Sequence, residues 1–263
     1  MKEISTATAI SFFRRDRYRY FGALATLSQN MPPIPRRLFA DGDEPGAVMM
    51  VEEFPHGICA GISGSGSRFL AESIDWLRDS CEELLLSVED KRIFHIRTLM
   101  QAFRGGPIGC VRSFVCTDLG RVPEMSGGIA RLTWDDRSAM ERYEYESSVQ
   151  GPSLVQVFQW QVIDRGGVIY AVKDGDEIVA YLSCSREYEN IWDLDFIHVQ
   201  PSRRQRGLGT RLATSYARDR LMCGEVPYYS GVRDDNEASR RTALRAGFAL
   251  CAERFSATLR RKD

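Results

Sequence analysis

The sequence predicts an α/β protein with a mixed sheet, and three observations support that fold class. Short apolar runs rich in Val, Ile, Tyr and Phe alternate with longer segments whose apolar residues recur at helical spacing. Glycine, proline and Asp-Gly sequences separate these segments. Hydrophobic residues make up 43% of the 263 positions, an ordinary fraction for a globular chain. We therefore expect helices packed on a sheet.

The charge and composition disfavour several classes of protein. Lys and Arg total 35 against 36 Asp and Glu, so the net charge of −1 favours neither a nucleic-acid nor a membrane partner. No apolar run reaches the length of about 18 residues that spans a membrane. The first ten residues are too polar for a signal peptide, so we expect a cytoplasmic protein. Seven cysteines without a Cys-x-x-Cys pair and three histidines predict neither a disulfide framework nor a metal site.

A Gly/Pro-rich passage over 120–128 predicts a division into two domains. We place an N-terminal α/β domain at residues 1–125 and a second domain at 126–263. In the first, we expect strands at 48–53, 57–62, 84–88 and 108–117 and helices at 71–80 and 90–103. This order loosely echoes the second half, so a degenerate copy is one interpretation, although no residue-level repeat accompanies it.

The C-terminal half shows a clearer alternation of strands and helices. We expect strands at 129–134, 168–173, 177–184, 191–199, 226–232 and 248–259, and helices at 137–147, from 152, at 207–222 and from 236 to 247. Asp174-Gly175-Asp176 predicts a hairpin turn. Asp234-Asp235-Asn236 is typical of a helix start.

The segment Val199–Leu212 carries the strongest chemical signal. A strand ends, and Gly207 and Gly209 open an amphipathic helix whose first amides have no partner within the helix. Glycine allows a ligand to approach the main chain, and three arginines at 203–206 add positive charge. This pattern suits a pyrophosphate, although it matches neither a Walker A loop nor a three-glycine dinucleotide fingerprint. Tight strand-to-helix packing is the alternative explanation of the glycines.

The motif Arg204-Gln205-Arg206-Gly207-Leu208-Gly209 resembles the Gln/Arg-x-x-Gly-x-Gly/Ala signature of the GNAT superfamily of acyl-CoA-dependent N-acyltransferases. Asp235-Asn236-x-Ala238-Ser239, followed by Ala246-Gly247-Phe248, is similar to that family's second signature. The resemblance extends from about Ile129 to the C-terminus. It implies a GNAT acyl-CoA N-acyltransferase fold with an additional N-terminal α/β domain, as in two-part members of the superfamily.

The resemblance also implies how the acyl-CoA co-substrate, taken as acetyl-CoA, is bound. The strand 192–199 splays from the next strand, and pantetheine bonds to the main chain in that gap. Amides from Gln205 to Thr210 hold the pyrophosphate. The expected cofactor-binding residues are Ile197, His198, Val199, Arg204, Gln205, Arg206, Gly207, Leu208, Gly209, Thr210 and Asn236. Capping of a helix is an equally good explanation of Asn236, and the two roles are compatible.

Acyl transfer requires a neutral amine, which attacks the thioester through a tetrahedral intermediate. Deprotonating a primary amine at pH 7 costs roughly 4–5 kcal/mol, so a general base helps. Asp193 and Asp195 are the candidates, and the resemblance places Asp193 at the catalytic glutamate position of some members. Strand alternation puts both on one face unless a bulge intervenes, and a merely solvated face is the alternative. Glu187 and Glu189 are further acids nearby, and we expect His198 to contribute its main chain instead of acting as the base.

The sequence departs from the family where many members carry a tyrosine as general acid, because that position is Ala243. A thiolate leaves readily, so catalysis does not require that acid. Ser239, Tyr228 and Tyr229 carry hydroxyls that could replace this acid, and the sequence does not single out any one of them. The amide of Val199 is implied to stabilise the oxyanion.

Two functions follow from these features. The first is an N-acetyltransferase for a primary amine of a small molecule or peptide, and a homodimer is compatible with it. The alternative is a non-catalytic acyl-CoA-binding protein. A nucleic-acid-binding or ribosome-binding module is disfavoured by the net charge and by the lack of interleaved aromatic residues over 201–211. The glycine-rich stretch Gly61–Ser67 is interpreted as a flexible hairpin-to-helix loop, and residues 1–125 are predicted to shape the acceptor pocket or an interface without binding a cofactor.

Overall fold

A computed structural model of the chain describes residues 1–28, 34–55, 57–64, 66–124, 128–143, 145 and 152–262. The chain forms two compact units. Unit 1 comprises Met1–Arg112 and Ala252–Asp263, and unit 2 comprises Ser113–Cys251. The predicted domain boundary between residues 125 and 126 lies outside the described residues. In the part of the chain that the structure describes, no helix is long and apolar enough to span a membrane.

Unit 1 is an α/β unit with helices packed on a mixed sheet. Its elements are β1 (Lys2–Glu3), α1 (Thr6–Arg14), α2 (Phe21–Ser28), β2 (Arg36–Ala40), β3 (Ala47–Phe54), β4 (Gly57–Gly64), α3 (Ser67–Ser80), β5 (Glu83–Val88), α4 (Arg97–Ala102), β6 (Phe103–Gly105) and the first part of β7 (Gly109–Val115). The sheet order begins β1-β2-β3-β4-β5. Strands β1 to β4 pair antiparallel, whereas β4 and β5 are parallel and joined through α3. The helix α3 packs on the sheet because its apolar residues Phe69, Ile74 and Leu77 fall on one face.

The structure confirms most elements predicted for unit 1 and corrects three points. The predicted helix at 71–80 begins earlier, at Ser67. The predicted helix at 90–103 is instead a 3₁₀ turn over Lys91–His95 followed by α4, because Ile96 between them is extended. Gly61–Gly64 of the predicted loop belongs to β4, while Ser65 lies outside the described residues. The elements α1, α2 and β2 were not predicted.

Unit 2 contains the remaining elements. They are β8 (Ala130–Arg131), α5 (Arg137–Glu141), α6 (Leu154–Phe158), β9 (Val168–Asp174), β10 (Glu177–Tyr188), β11 (Ile191–Val199), α7 (Leu208–Met222), β12 (Val226–Arg233), α8 (Glu237–Arg245) and β13 (Ala249–Arg261), whose residues from 252 onward belong to unit 1. The sheet order in unit 2 is β7-β12-β11-β10-β9-β8. Strands β8 to β11 pair antiparallel, and α7 connects β11 to the parallel strand β12.

The predicted boundaries in unit 2 agree with the structure to within about two residues, except near its start and at the end of β10, which continues past the predicted residue 184 to Tyr188. The strand expected at 129–134 shortens to β8, because Trp134–Asp136 forms a 3₁₀ turn in which Thr133 and Asp136 make a capping box. The helix expected at 137–147 ends at Glu141, and residues 144 and 146–151 lie outside the described residues. The helix expected from 152 begins at Leu154 and continues as a π-helical segment over Gln159–Asp164.

A β-bulge in β11 decides which side chains share a face. Ser183 of β10 stands opposite Phe196 and Cys184 stands opposite Leu194, so Asp195 is the extra residue. Before and after the bulge, β11 packs against α7 with the apolar side chains of Trp192, Leu194, Ile197 and Val199. The opposite face carries Asp193, Asp195, Phe196 and His198. The expectation that the two aspartates share a face is therefore confirmed, and the bulge falls at Asp195 itself, so that Phe196 and His198 lie on this face as well.

The strands β11 and β12 pair over a short length and then separate. Their described register covers Ile191 with Val226, Trp192 with Pro227 and Asp193 with Tyr228. The side chain of Tyr216 on α7 fills the point of divergence. Its hydroxyl donates to the Trp192 carbonyl oxygen at 2.5 Å and accepts from the Tyr228 N–H at 3.1 Å. Because this side chain is fully buried, water does not substitute for these bonds.

Tyr216→Phe is expected to destabilise the protein by about 1–3 kcal/mol, because it leaves buried main-chain groups without their partner. Thermal unfolding measures this loss, at about 2–4 °C for each kcal/mol. Tyr170→Phe is the matched control, since Asp219 keeps its bonds to Arg131 and Arg220 when the Tyr170 hydroxyl is removed. A melting temperature lowered equally by both substitutions contradicts the role given to Tyr216.

Candidate active site and cofactor cleft

A cavity of about 720 Å³ opens within unit 2, between the end of β11 and the starts of α7 and α8. Every residue of the predicted cofactor set except Arg206 lines it. Other lining residues are Arg203, Tyr229, Ala238, Ser239, Arg241, Thr242 and Arg245. The structure thus brings the two predicted sequence signatures to one cavity, while the cofactor role of each residue stays a prediction.

The start of α7 presents main-chain amides to this cavity. Gly207 is the N-cap with a left-handed φ of +74°, and no side chain among the described residues caps the helix. The amides of Leu208, Gly209 and Thr210 lie in the first turn, where a helix supplies no acceptor. Gln205 also has a positive φ, of +62°, which is uncommon for a residue other than glycine. Gln205 and the residues from Gly207 to Thr210 all line the cavity, so the amides of this first turn lie beside it.

Tight packing does not explain the two glycines of the motif. A Cβ atom at Gly207 would meet nothing within 4 Å in the described structure, so the positive φ accounts for glycine there. A Cβ at Gly209 would lie 3.7 Å from Ile197 Cδ1, an ordinary contact. The absence of a side chain at Gly209 keeps this part of the cavity wall open.

Polar side chains on the wall have identifiable roles. Arg203 pairs with Asp174 at 2.7 Å, and Arg204 donates to the Val199 carbonyl oxygen at 3.2 Å. Asn236 Oδ1 accepts from the Ser239 N–H at 3.0 Å and so caps α8, which confirms the capping explanation of this residue. Arg241 pairs with Glu237 at 2.7 Å, and Arg245 adds positive charge to the wall.

Asp193 is a buried carboxyl group at the divergence of β11 and β12. Its two oxygens accept from the Ser230 N–H at 3.1 Å and the Ser230 hydroxyl at 2.5 Å, and the residue is only 9% exposed. Burial raises its pKa to about 8; the Ser230 hydrogen bonds oppose this shift, and the neighbouring Asp195 charge adds to it. Asp193 is therefore mostly protonated at pH 7.

Asp195 has a more open and more polar environment. Its Oδ2 accepts from the Ser185 hydroxyl at 2.8 Å, and the Arg165 guanidinium lies 3.9 Å from Oδ1. Burial raises its pKa to about 6, with the charge of Glu187 adding and Ser185 and Arg165 opposing. Its side chain remains 20% exposed. Asp195 is therefore ionised at pH 7 and reached by solvent, whereas Asp193 is neither.

Of the two nearby acids named from the sequence, Glu187 contacts the same partners as Asp195, whereas Glu189 does not. Glu187 pairs with Arg165, and its Oε1 lies 2.6 Å from the Ser185 hydroxyl oxygen. Glu189 lies in the turn between β10 and β11, with a positive φ of +49°. Ser185, Ser230 and Arg165 were not predicted from the sequence. Ser185 stands opposite Asp193 in the sheet, and this strand pairing is the one signal that connects any of the three to the aspartates.

His198 lies in an aromatic cluster made with Tyr143, Tyr145, Tyr181 and Phe196. The Tyr143 hydroxyl is 2.7 Å from His198 Nδ1. Burial lowers the pKa of the imidazole, so the ring is neutral at pH 7. Phe196 is the most open member, at 40% exposed, and lies next to Asp195 in the bulge. The cluster borders the acidic residues on the same face of β11.

Residues 129–248 match the sequence profile of the Acetyltransferase (GNAT) family. This segment is a GNAT acetyltransferase domain. A comparison of the whole chain with curated proteins found no match.

Three solved structures show the same fold at low sequence identity. A GCN5-related N-acetyltransferase from Sphaerobacter thermophilus has a TM-score of 0.61 at 15% identity, covering 99% of this chain and 94% of that one. A GNAT-family acetyltransferase from Colwellia psychrerythraea has a TM-score of 0.58 at 12% identity, covering 100% and 99%. A tandem GNAT protein from the clavulanic acid biosynthesis pathway has a TM-score of 0.55 at 14% identity, covering 99% and 97%. The chain therefore combines a C-terminal GNAT fold with an N-terminal α/β region.

In the GNAT domain, Ala243 is fully buried, whereas Tyr229 and Ser239 both line the cavity. The Tyr229 hydroxyl lies 2.5 Å from Ser239 Oγ, and burial raises its pKa. Tyr228 is buried away from this wall. Within the described ranges, no group of three or more His, Cys, Asp or Glu side chains is placed to hold a metal ion.

Asp193→Asn is expected to stabilise the GNAT domain at pH 8 and to have little effect near pH 4. The pKa of Asp193 is raised to about 8 in the folded protein, against about 3.9 in the unfolded chain. The folded state therefore binds the extra proton between these values, and wild-type stability falls as the pH rises through them. Asparagine never ionises, so the melting temperature of the variant should exceed that of wild type by a margin that grows as the pH rises from 4 to 8.

Asp219→Asn is the control of opposite sign. Despite burial, hydrogen bonds from Arg220 and Tyr170 keep the pKa of Asp219 below its ordinary value. This variant should lose stability relative to wild type above about pH 4, and the difference should vanish in acid. If Asp193→Asn also loses stability toward pH 8, the protonation state given to Asp193 is wrong.

Proposed function

We propose that the protein is an N-acetyltransferase that moves an acetyl group from acetyl-CoA to a primary amine of a small molecule or peptide. The observation that carries the proposal is the arrangement in the GNAT domain around β11. One side of that strand borders the cavity with its uncapped helix start, and the bulge presents an ionised carboxylate, Asp195, on the other. One strand thus borders the cavity proposed for acetyl-CoA and also carries the proposed general base.

The cavity suits the diphosphate and pantetheine parts of the co-substrate. Amides of the first turn of α7 and the positive end of its macrodipole favour a diphosphate. Arg204 and Arg245 line the same cavity and add positive charge, while Arg241 is paired with Glu237. Beyond Asp193, the main chain of Ile197, His198 and Val199 borders the cavity, and its polar groups suit the amides of pantetheine.

Asp195 is the residue that we assign as general base, and Asp193 is assigned to positioning. An ionised Asp195 accepts a proton from the acceptor ammonium, directly or through water, so that the neutral amine attacks the thioester carbonyl carbon. The C–N bond then forms and the C–S bond breaks, while the Val199 amide stabilises the oxyanion. The thiolate is a good leaving group, and the hydrogen-bonded hydroxyls of Tyr229 and Ser239 on the cavity wall are the candidates to protonate it. Protonated Asp193 orients Ser230 at the divergence of the strands.

A non-catalytic acyl-CoA-binding protein is the second candidate, and buried Ala243 is the observation that favours it. Release of free CoA thiol with a panel of primary amines separates the two. Acetyl-CoA binding without thiol release across polyamines, amino acids, aminoglycosides and peptide N-termini would favour the second candidate.

Asp195→Asn is expected to lower kcat/KM by about 10²–10³, the usual contribution of a general base. It should also remove the acid limb of the pH profile, which in wild type follows Asp195 with its pKa of about 6. CoA thiol release measured from pH 5 to pH 9 with one active amine tests both effects.

Asp193→Asn is the matched control for this assay. Asparagine resembles the protonated carboxyl and still accepts from the Ser230 N–H, so we expect a loss of less than about tenfold and an unchanged acid limb. A larger loss from Asp193→Asn than from Asp195→Asn would reverse the assignment of the base.

A further inference from the structure

Two carboxyl groups of the GNAT domain share one serine hydroxyl. Ser185 Oγ lies 2.8 Å from Asp195 Oδ2 and 2.6 Å from Glu187 Oε1. Both distances are those of O–H···O hydrogen bonds. A hydroxyl has a single hydrogen to donate, however, and an ionised carboxylate can only accept. When both acids are ionised, only one of the two contacts is therefore a hydrogen bond, and in the other contact two oxygen atoms face each other without a hydrogen between them.

One additional proton satisfies all three groups. With that proton on Asp195 Oδ2, Asp195 donates to Ser185, and Ser185 donates to Glu187. If each hydrogen then moves one step along these groups, Glu187 holds the proton and donates to Ser185, which donates to Asp195. Both arrangements contain two hydrogen bonds and the same number of protons. They differ only in which carboxyl group is neutral.

Burial makes the incomplete arrangement unfavourable. Ser185 is 1% exposed and the Glu187 side chain is 9% exposed, so bulk water has little access to the contacts between them. A buried polar group without a partner destabilises the state that contains it. The side chain of Asp195 is more open, at 20% exposed. A proton from outside therefore enters at Asp195.

The charged groups around the two acids carry a net negative charge. Arg165, which follows the π-helical segment, pairs with Glu187 and lies 3.9 Å from Asp195 Oδ1. Gln161 of the same segment also hydrogen-bonds Asp195. On this face of β11, Asp193 is mostly protonated because burial raises its pKa, and the imidazole is neutral because burial lowers its pKa. Counted over these described groups, two carboxylates and one guanidinium give a net charge of −1, which favours the approach of one ammonium.

We propose that Asp195, Ser185 and Glu187 bind the proton of the acceptor amine as one unit, with Ser185 passing a hydrogen between the two carboxyl groups. The inference rests on the proposed function, since it takes Asp195 as the general base. An N–H bond of the ammonium breaks and an O–H bond forms on Asp195, while the electron pair stays on the nitrogen that attacks the thioester. Ser185 and Glu187 act through Asp195 and are positioning residues, which strengthen it as a base.

Ser185→Ala distinguishes a shared proton from an ordinary hydrogen bond, because the two predict opposite shifts in the pKa of Asp195. A serine that only donates to ionised Asp195 stabilises the charged form, so its removal would raise the pKa. A serine whose hydrogen bonds are completed by the proton stabilises the protonated form instead. Its removal should lower the pKa, by about half to one pH unit for the loss of one hydrogen bond.

The carboxyl carbon of Asp195 reports this pKa by NMR, in the full chain with ¹³C-labelled aspartate and glutamate and without any substrate. Its signal is the one missing from Asp195→Asn. We expect the titration midpoint to fall in Ser185→Ala and to stay at the wild-type value in Ser183→Ala. Ser183 is the matched control, because it is fully buried on the same strand and its hydroxyl bonds to none of the described residues.

A midpoint that rises or stays unchanged in Ser185→Ala would overturn the proposal. If this variant fails to fold, the wild-type signals decide the question. The Glu187 carboxyl carbon, identified by its absence from Glu187→Gln, should then change at the same midpoint as the carbon of Asp195, as expected for coupled groups. A Glu187 signal that does not respond while Asp195 titrates would also contradict the shared proton.

Release of CoA thiol separates this inference from the proposed function. With an active amine, the acid limb of kcat/KM should move to lower pH in Ser185→Ala by the same amount as the carbon midpoint, and Ser183→Ala should leave it in place. An acid limb that stays at the wild-type pH while the midpoint falls would overturn the link to the proton of the amine. If no amine in the panel releases thiol, the proposed function fails, whereas the carbon titration still decides whether the three groups share a proton.

Discussion

The hydroxyl of Tyr216 lies where β11 and β12 part, and the site of the GNAT domain depends on that divergence. Two parallel strands can separate inside a protein only if the main-chain groups at the fork find other partners. Tyr216 supplies them from α7, and the carboxyl of Asp193 supplies another from β11 to the Ser230 amide. The edge of β11 beyond the fork is then available to the cavity. Stability of the fold and access for a ligand therefore rest on the same few hydrogen bonds.

Two neighbouring carboxyl groups on one face of β11 differ in protonation state. The bulge at Asp195 brings Phe196 and His198 to this face, since regular alternation would turn His198 toward α7. Asp193 is buried against Ser230 and remains protonated, while Asp195 lies in a polar, partly solvated setting beside Ser185 and Arg165. One aspartate thus serves structure and the other is free for proton transfer. The difference arises from burial and partners, since the two side chains are chemically identical.

The sequence predicted those parts of the site that depend on local conformation. The segment Gln205–Gly209 requires positive φ angles and an uncapped helix start, and such requirements are visible in a glycine pattern. The cap at Asn236 was predicted for the same reason. The assignment of roles to Asp193 and Asp195 depends on Ser230, Ser185 and Arg165, which lie elsewhere in the chain. Burial by distant residues leaves no mark in a local pattern, so those partners and the aromatic cluster were missed.

Unit 1 shows the same limit more strongly. Its strands β3, β4 and β5 were predicted from their apolar runs, whereas α2 was not, because its nearly uniform apolar sequence shows little helical periodicity. The cysteines share no single environment. Cys116 and Cys184 are buried, four others are half-buried and Cys223 is exposed, so most are not core residues.

Hydrogen exchange of main-chain amides with and without acetyl-CoA tests whether the start of α7 and the end of β11 form the acetyl-CoA site. We expect slower exchange at Leu208, Gly209 and Thr210 and along Ile197–Val199 when acetyl-CoA is bound. This protection should be lost in Gly209→Val, which narrows the cavity, and kept in Gly22→Val, the same change at the second residue of α2, where the structure leaves open space. Unchanged exchange at these amides with acetyl-CoA bound would contradict the account.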